Sequence, residues 1–360
     1  MEELLIYCAR ADLKPSEIEK IKIIVKQEID WQKLIETANF HKLIPLLYQK
    51  LKRICPELVP NEILMQLKQQ FQNNATRNLF ITSELLKLLD LFESYQIHAT
   101  PIKGAVLAVS AYGNVAFRQF GDLDILVREK DAIKARDLLV SVGYESTYNF
   151  TRKQEVARLK SPYCKDNNYF HKHTGVNLDF HWQLLQKYLS FPLHHEELWQ
   201  RHGTVSIAGK AVRNLSPEDN LLFLCVHGSR DRWNKLRLIS DVAHLIEAEP
   251  EMNWVWLIEQ ARKLGCTRRF LLGMLLAKNI LGTELPEKIL QNIEAEPRIK
   301  SVATELSQKL FEKDNAPAKL IEKSLFDISV RERILDKVNY SLYQSILVVA
   351  RNNNLFTAWI

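Results

Sequence analysis

Three aspartates are the residues of this chain best suited to chemistry. Asp122 and Asp124 stand two apart in Gly121-Asp122-Leu123-Asp124-Ile125-Leu126-Val127, and the apolar run after them reads as a buried strand. On a strand, residues two apart project from one face. Neighbouring carboxylates repel unless a cation lies between or beyond them, and a strand that enters a core leaves no room to treat the pair as a solvated face. Asp179 lies in Val176-Asn177-Leu178-Asp179-Phe180-His181-Trp182, whose alternation reads as a second strand with Val176, Leu178 and Phe180 on the opposite face. Mg²⁺ takes carboxylate oxygens together with substrate phosphates. Three such acids could hold two Mg²⁺ (or Mn²⁺) ions about 4 Å apart, the arrangement that clamps attacking and leaving oxygens in phosphoryl transfer. A bare Asp-x-Asp is as readily a turn cap and a structural salt bridge, so its surroundings decide.

Lys103-Gly104 closes a short extended stretch (97–103) and precedes a helical segment, where backbone N–H groups and an ammonium can meet a triphosphate. Arg118, four residues before Asp122, is a second candidate for phosphate charge, and Gly121 flanks the metal strand. The order strand, Lys-Gly, helix, loop, Arg, Gly-Asp-Leu-Asp strand and a later aspartate on a strand is far more specific than any one part. His181 shares a face with Asp179, where it is expected to orient that acid or touch substrate, with core packing almost as good a reading. His171-x-His173 reads as a solvated edge in preference to a zinc pair, and His194-His195 have no evident partner. Arg230-Asp231-Arg232, Lys235 and Arg237 read as a solvated helix end more readily than as an RNA patch, and so do Arg268-Arg269.

The elements that must position these residues follow the glycines. There are 11 in 360 residues, about 3% where roughly 7% is usual: none up to Lys103, seven from Gly104 to Gly209, four thereafter. Residues 1–96 read as helices. Ser16-Glu17-Ile18-Glu19 resembles a helix start, Asp30 is placed to cap the next helix, and Ser83 to Tyr95 carries a broad apolar face. The middle reads as a strand-rich island, with helical segments at Ala105–Tyr112 and Lys130–Val142 and a hairpin over Gly203–Leu215 turning at Ala208-Gly209. Ser216-Pro217-Glu218-Asp219 then starts a helix, and segments near 217–229, 236–248, 254–264, 267–281 and 297–312 carry helical periodicity. The expected division is 1–96, an N-terminal helical region; 97–215, an α/β core; and 216–360, a C-terminal helical domain.

Composition excludes some classes of protein. Apolar residues make up 46% and charged residues 26%, a globular balance. No apolar run reaches the roughly 18 residues of a membrane span, and Met1-Glu2-Glu3 is acidic where a leader would be basic. The five cysteines, Cys8, Cys55, Cys164, Cys225 and Cys266, fit neither a disulfide framework nor a Cys-x-x-Cys metal site. These features point to a cytoplasmic protein without a membrane partner. The net charge of +6 permits contact with nucleic acid or nucleotides without demanding it.

Pro101-Ile102-Lys103-Gly104, Arg118 to Val127 and Asn177-Leu178-Asp179-Phe180-His181-Trp182 resemble the bacterial uncharacterised nucleotidyltransferase family, within the polymerase-β-like superfamily. Leu215-Ser216-Pro217-Glu218-Asp219 and the stretch from His227-Gly228 through Trp233 to Asp241 are similar to that family's second region. The resemblance spans roughly residues 30–280. It implies an α+β fold: a small mixed-sheet nucleotidyltransferase core with helices on one side, set between the two helical regions. It further implies a metal-bound nucleoside triphosphate, ATP among the candidates, whose NMP passes to a hydroxyl acceptor as pyrophosphate leaves. Asp122, Asp124 and Asp179 would then be the metal-binding and catalytic acids, and Lys103, Gly104, Arg118 and Gly121 the nucleotide-binding residues. His227, Trp233 and Asp241 would face the base or acceptor, or tie the helical domain to the sheet. The turn differs from the superfamily's Gly-Ser or Gly-Gly in having Ala105 after Gly104. A protein, an RNA end or a small molecule fits as acceptor. An inactive nucleotide-binding regulatory module on the same fold is the alternative, and a helical scaffold with an accidental Asp-x-Asp a third reading.

Overall fold

A computed structural model describes residues 1–148, 150–161, 164–185, 195–312 and 320–352. The fold is α+β: many helices around one small mixed sheet. Helices Glu2–Ala9, Pro15–Val25, Trp31–Phe40 and Ile44–Ile54 lead into a single 34-residue helix, Asn61–Ser94. Asp30 caps its helix as expected, its Oδ1 accepting from Lys33 N at 2.9 Å. Five strands follow: β1 (Ala99–Pro101), β2 (Asp122–Val127), β3 (Tyr144–Ser146), β4 (Asp166–His171) and β5 (Asn177–His181). They form a sheet in the order β1-β2-β5-β4-β3, in which β2 and β5 run parallel and the other neighbours antiparallel. A separate hairpin, β6 (Gly203–Ile207) and β7 (Lys210–Asn214), turns at Ala208-Gly209. Both turn residues have positive φ, 51° and 81°, as a two-residue hairpin requires.

Strands β3 and β4 escape the sequence reading. β3 is only three residues long. β4 reads Asp-Asn-Asn-Tyr-Phe-His, with too little apolar alternation to mark it. His171 ends β4, and its Nδ1 accepts from the backbone N–H groups of His173 and Thr174, each at 3.2 Å. That imidazole fixes a turn. His194 lies outside the described residues.

The two faces of the sheet differ in chemistry. Leu123, Ile125, Val127, Leu178, Phe180 and Tyr169 point into one apolar cluster with Ile81, Leu85, Leu88 and Phe92 of the long helix. The opposite face carries Asp122, Asp124, Asn177, Asp179 and His181. The helices at the two ends of the chain share a second core, in which Leu4, Leu5 and Leu47 join Leu222, Phe270 and Leu272. Hydrogen bonds cross between these ends: Ser240 Oγ donates to Ala9 O at 2.9 Å, and Leu236 N donates to His41 Nδ1 at 3.0 Å. All five cysteines are free and buried. No helix among the described residues is long and apolar enough to cross a membrane.

The C-terminal helices begin with Pro217–Arg230, capped by Ser216 Oγ accepting from Asp219 N at 3.1 Å. Leu236–Ala248, Trp254–Leu264, Thr267–Leu281, Glu287–Glu294 and Pro297–Lys309 follow; of these, Glu287–Glu294 is absent from the sequence reading. Trp233 is 2% exposed, with its ring laid against Gly228 and Gly273 of two neighbouring helices. A Cβ on Gly228 would stand 2.5 Å from Trp233 Cζ3. Alanine in a helix interior is ordinarily about 0.5–1 kcal/mol better than glycine. At Gly228 the sign should reverse, because overpacking costs about 1–3 kcal/mol. Chemical denaturation of Gly228→Ala should therefore show a less stable protein, and a gain in stability would contradict this packing.

Candidate active site

The parallel pairing of β2 with β5 puts Asp124 directly opposite Asp179 and Asp122 opposite Asn177. Side chains in register on neighbouring strands share a face, so the two strands converge three acids on the sheet's polar side. Asp122 is exposed at the mouth of β2, Asp124 is 6% exposed and Asp179 is half-buried. Lys103 Nζ stands 2.9 Å from Asp124 Oδ1, and His181 Nε2 stands 3.1 Å from the same oxygen. Burial alone would raise the Asp124 pKa, but the charges and hydrogen bonds of Lys103 and His181 outweigh it and hold the carboxyl well below its ordinary value. Asp179 shifts the other way, raised by burial and by the Asp124 charge beside it. Its Oδ1 accepts from Asn168 Nδ2 on β4.

His181 does not line the cleft; it backs Asp124. Its Nδ1 faces Lys165 Nζ at 3.5 Å and Asp166 Oδ2 at 3.8 Å. One ligand atom each from Asp124, Asp179 and His181 lie within 4.8 Å of one another, a set that could hold a metal ion. Oxygen donors of this kind suit Mg²⁺ and Mn²⁺, and an imidazole is compatible with Mn²⁺. Asp122 stands outside this set, one register step toward the mouth.

These acids border a cleft of about 730 Å³ that Lys103, Gly104, Gly121 and His227 also line. Gly104 begins the helix Gly104–Tyr112 at φ +53°, a left-handed conformation that other residues adopt only under strain. His227 Nε2 lies 3.0 Å from Arg230 Nη2, and burial together with Lys103 and Arg230 holds the imidazole well below its ordinary pKa, hence neutral. Lys42, Arg77, Arg230 and Arg237 line the same cleft from helices and their turns.

Two of the residues singled out in the sequence stand in packed positions. Arg118 reaches the cleft with its guanidinium engaged: Nε and Nη2 donate to the two carboxylate oxygens of Asp241 at 2.7 and 2.9 Å. Arg118 is 3% exposed and Asp241 1%. Asp241 also accepts from Tyr112 Oη at 2.7 Å, so it joins the loop before β2 to the helix Leu236–Ala248. Trp233 packs between helices, one of the two roles the sequence left open for it, and is not among the residues lining the cleft. Conversely, Arg230 and Arg237, read from sequence as a solvated helix end, stand at the site.

The loop that delivers Arg118 and Gly121 is held by one face of the long helix. Asn74 Nδ2 donates to Ala116 O at 3.0 Å, Asn78 Nδ2 to Arg118 O at 2.8 Å, and Arg77 Nη2 to Gly121 O at 3.3 Å. Spacings of three and four place these side chains together on a helix. That polar trio within an otherwise unremarkable helix is the sequence signal of this tether.

Comparison with known proteins follows this geometry. A model of the family described as uncharacterised nucleotidyltransferase matches residues 27–282. No curated protein matches the chain. Among solved structures, an antigenic nucleotidyltransferase-like protein from Paracoccidioides brasiliensis is 18% identical with a TM-score of 0.36, over 64% of this chain and 94% of that one.

Proposed function

The chain belongs to the uncharacterised nucleotidyltransferase family, and from that premise we propose that it is a divalent-metal-dependent enzyme of the polymerase-β-like type. It transfers NMP from a nucleoside triphosphate such as ATP to a hydroxyl acceptor, with release of pyrophosphate. The observation that carries this reading is the register of Asp124 against Asp179 on parallel strands, with Asp122 one step toward the mouth of a cleft lined by cations. Like charges this close disfavour joint ionisation, and a divalent cation relieves that repulsion.

Asp124 and Asp179, with Asp122 at the lip, are the residues that would hold the ion. When bound, it neutralises phosphate charge and lowers the pKa of the acceptor hydroxyl. Lys103, beside Asp124, presents an ammonium to the incoming phosphates, and Gly104 lets the backbone approach them. Asp179, the carboxyl with the raised pKa, is the acid best suited to take the acceptor's proton. His181 keeps Asp124 oriented from behind. Catalysis is then chiefly positioning and charge neutralisation.

The test is incubation with each labelled nucleoside triphosphate, Mg²⁺ or Mn²⁺ and cell extract. Label should appear in a protein, RNA or small-molecule fraction, with one pyrophosphate released per nucleotide transferred. Nucleotide binding with neither label transfer nor pyrophosphate would overturn the enzyme reading in favour of an inactive regulatory module on the same fold.

A further inference from the structure

With Arg118 engaged by Asp241, the charge of a triphosphate has to be met by other cations of the cleft. Arg237 stands beside that pair. Its Nη1 reaches Asp241 Oδ2 at 3.3 Å, while its Nε is buried with no hydrogen-bond partner among the described residues. The charge of Asp241 therefore serves two guanidiniums, with Asp122 a weaker counter-charge to Arg237, so Arg237 has only a shared carboxylate beside it. Burial and the Arg118 charge both push the Arg237 guanidinium below its ordinary pKa, yet it remains a cation at neutral pH. A poorly compensated buried cation is costly, and an anion arriving in the cleft relieves it.

Two more cations line the cleft from separate elements. Lys42 sits in the turn between the helices Trp31–Phe40 and Ile44–Ile54, at φ 61°. Arg77, on the long helix, lies against Gly121: a Cβ there would come within 2.9 Å of Arg77 Nη2, so glycine beside Asp122 leaves the guanidinium its place. We propose that Arg237, Arg77 and Lys42 form the subsite for the β- and γ-phosphates of a nucleoside triphosphate, facing the acids of β2 and β5. This rests on the nucleotidyl-transfer reading above and adds which charges take the polyphosphate tail. The three cations converge on one cleft of about 730 Å³, the size of a small-ligand site. A nucleic-acid backbone would call for an extended basic stripe.

The experiment measures equilibrium binding of ATP, AMP and tripolyphosphate, with Mg²⁺, to the full chain and to Arg237→Gln and Lys42→Gln/Arg77→Gln variants. The double variant changes exposed residues only, so it answers the question even if Arg237→Gln disturbs folding. Each variant should lose about tenfold or more in affinity for ATP and for tripolyphosphate, the scale of a lost charge-assisted hydrogen bond. AMP affinity should stay within about twofold, since AMP lacks the groups concerned. Unchanged ATP binding in both variants overturns the subsite and leaves the nucleotide reading standing, as does an equal loss for ATP and AMP. Tripolyphosphate bound through these residues by a protein that takes no nucleotide overturns the nucleotide reading and leaves the subsite standing.

Discussion

Asp124→Asn should lower nucleotidyl transfer by about three orders of magnitude or more. Charge stabilisation by a metal held on a carboxylate is worth several kcal/mol, and each 1.4 kcal/mol or so is a factor of ten in rate. The substitution keeps the shape of the side chain and an oxygen for Lys103 and His181 to donate to, but removes the charge that both compensate. It also removes the charge that helps to push Asp179 up, so Asp179 should titrate closer to an ordinary aspartate in the variant. Labelled transfer assays beside thermal unfolding separate lost chemistry from lost fold. Activity within tenfold of the parent, in a folded variant, would remove Asp124 from the reaction.

The largest expected effect on stability lies at Asp241. Alanine there leaves Arg118 and Arg237 without the carboxylate they both contact and Tyr112 Oη without its acceptor. Breaking a buried ion pair by removing one partner costs about 3–5 kcal/mol, and denaturant titration should show a loss of that size. Replacing Arg118 and Asp241 together by leucine should cost less than the sum of the single changes, because Arg118 is then not left buried without its partner and only Arg237 loses its carboxylate. The pair also carries a pH dependence. Arg118 and Arg237 hold the Asp241 carboxyl below its ordinary value against the effect of burial. Its contribution is therefore full above the unfolded aspartate pKa of about 3.9 and is lost as pH falls through the lower folded value. An Asp241→Ala protein should consequently show a flatter loss of stability in acid than the parent. An unaltered acid profile would show that Asp241 does not carry it.

Much of the fold can be read from local pattern. The Gly-Asp-Leu-Asp strand, the Asn-Leu-Asp-Phe-His strand, the hairpin at Ala208-Gly209 and most helices are legible because alternation, helical spacing and turn residues are local signals. β4 was not, because its side chains on the acids' face are polar for the same reason the acids are: Asn168 holds Asp179 and Asp166 stands near His181. A site strand loses the apolar rhythm by which strands are recognised. Pairing across long separations was equally hidden. Nothing near Arg118 announces that its partner lies 123 positions away in Asp241. Sequence alone leaves Trp233 open between facing substrate and tying helices together, and only the room that Gly228 and Gly273 make for its ring separates the two. The basic residues after His227 carried no sign of direction, since spacing gives the face of a helix but not what packs against it.

The long helix Asn61–Ser94 ties the two cores together. At about 1.5 Å per residue its 34 residues span about 50 Å. Leu67 is buried among the terminal helices, while Ile81, Leu85, Leu88 and Phe92 are buried beneath the sheet. Asn74, Arg77 and Asn78, which hold the cleft's loop, lie between those two anchor points. It works as a tie beam: neither core can drift or melt away from the other without fracturing a continuous rod at the stretch where the cleft is fastened. The cleft's loop and the underside of the sheet are thereby fastened to one continuous helix, so their mutual placement rests on a single element.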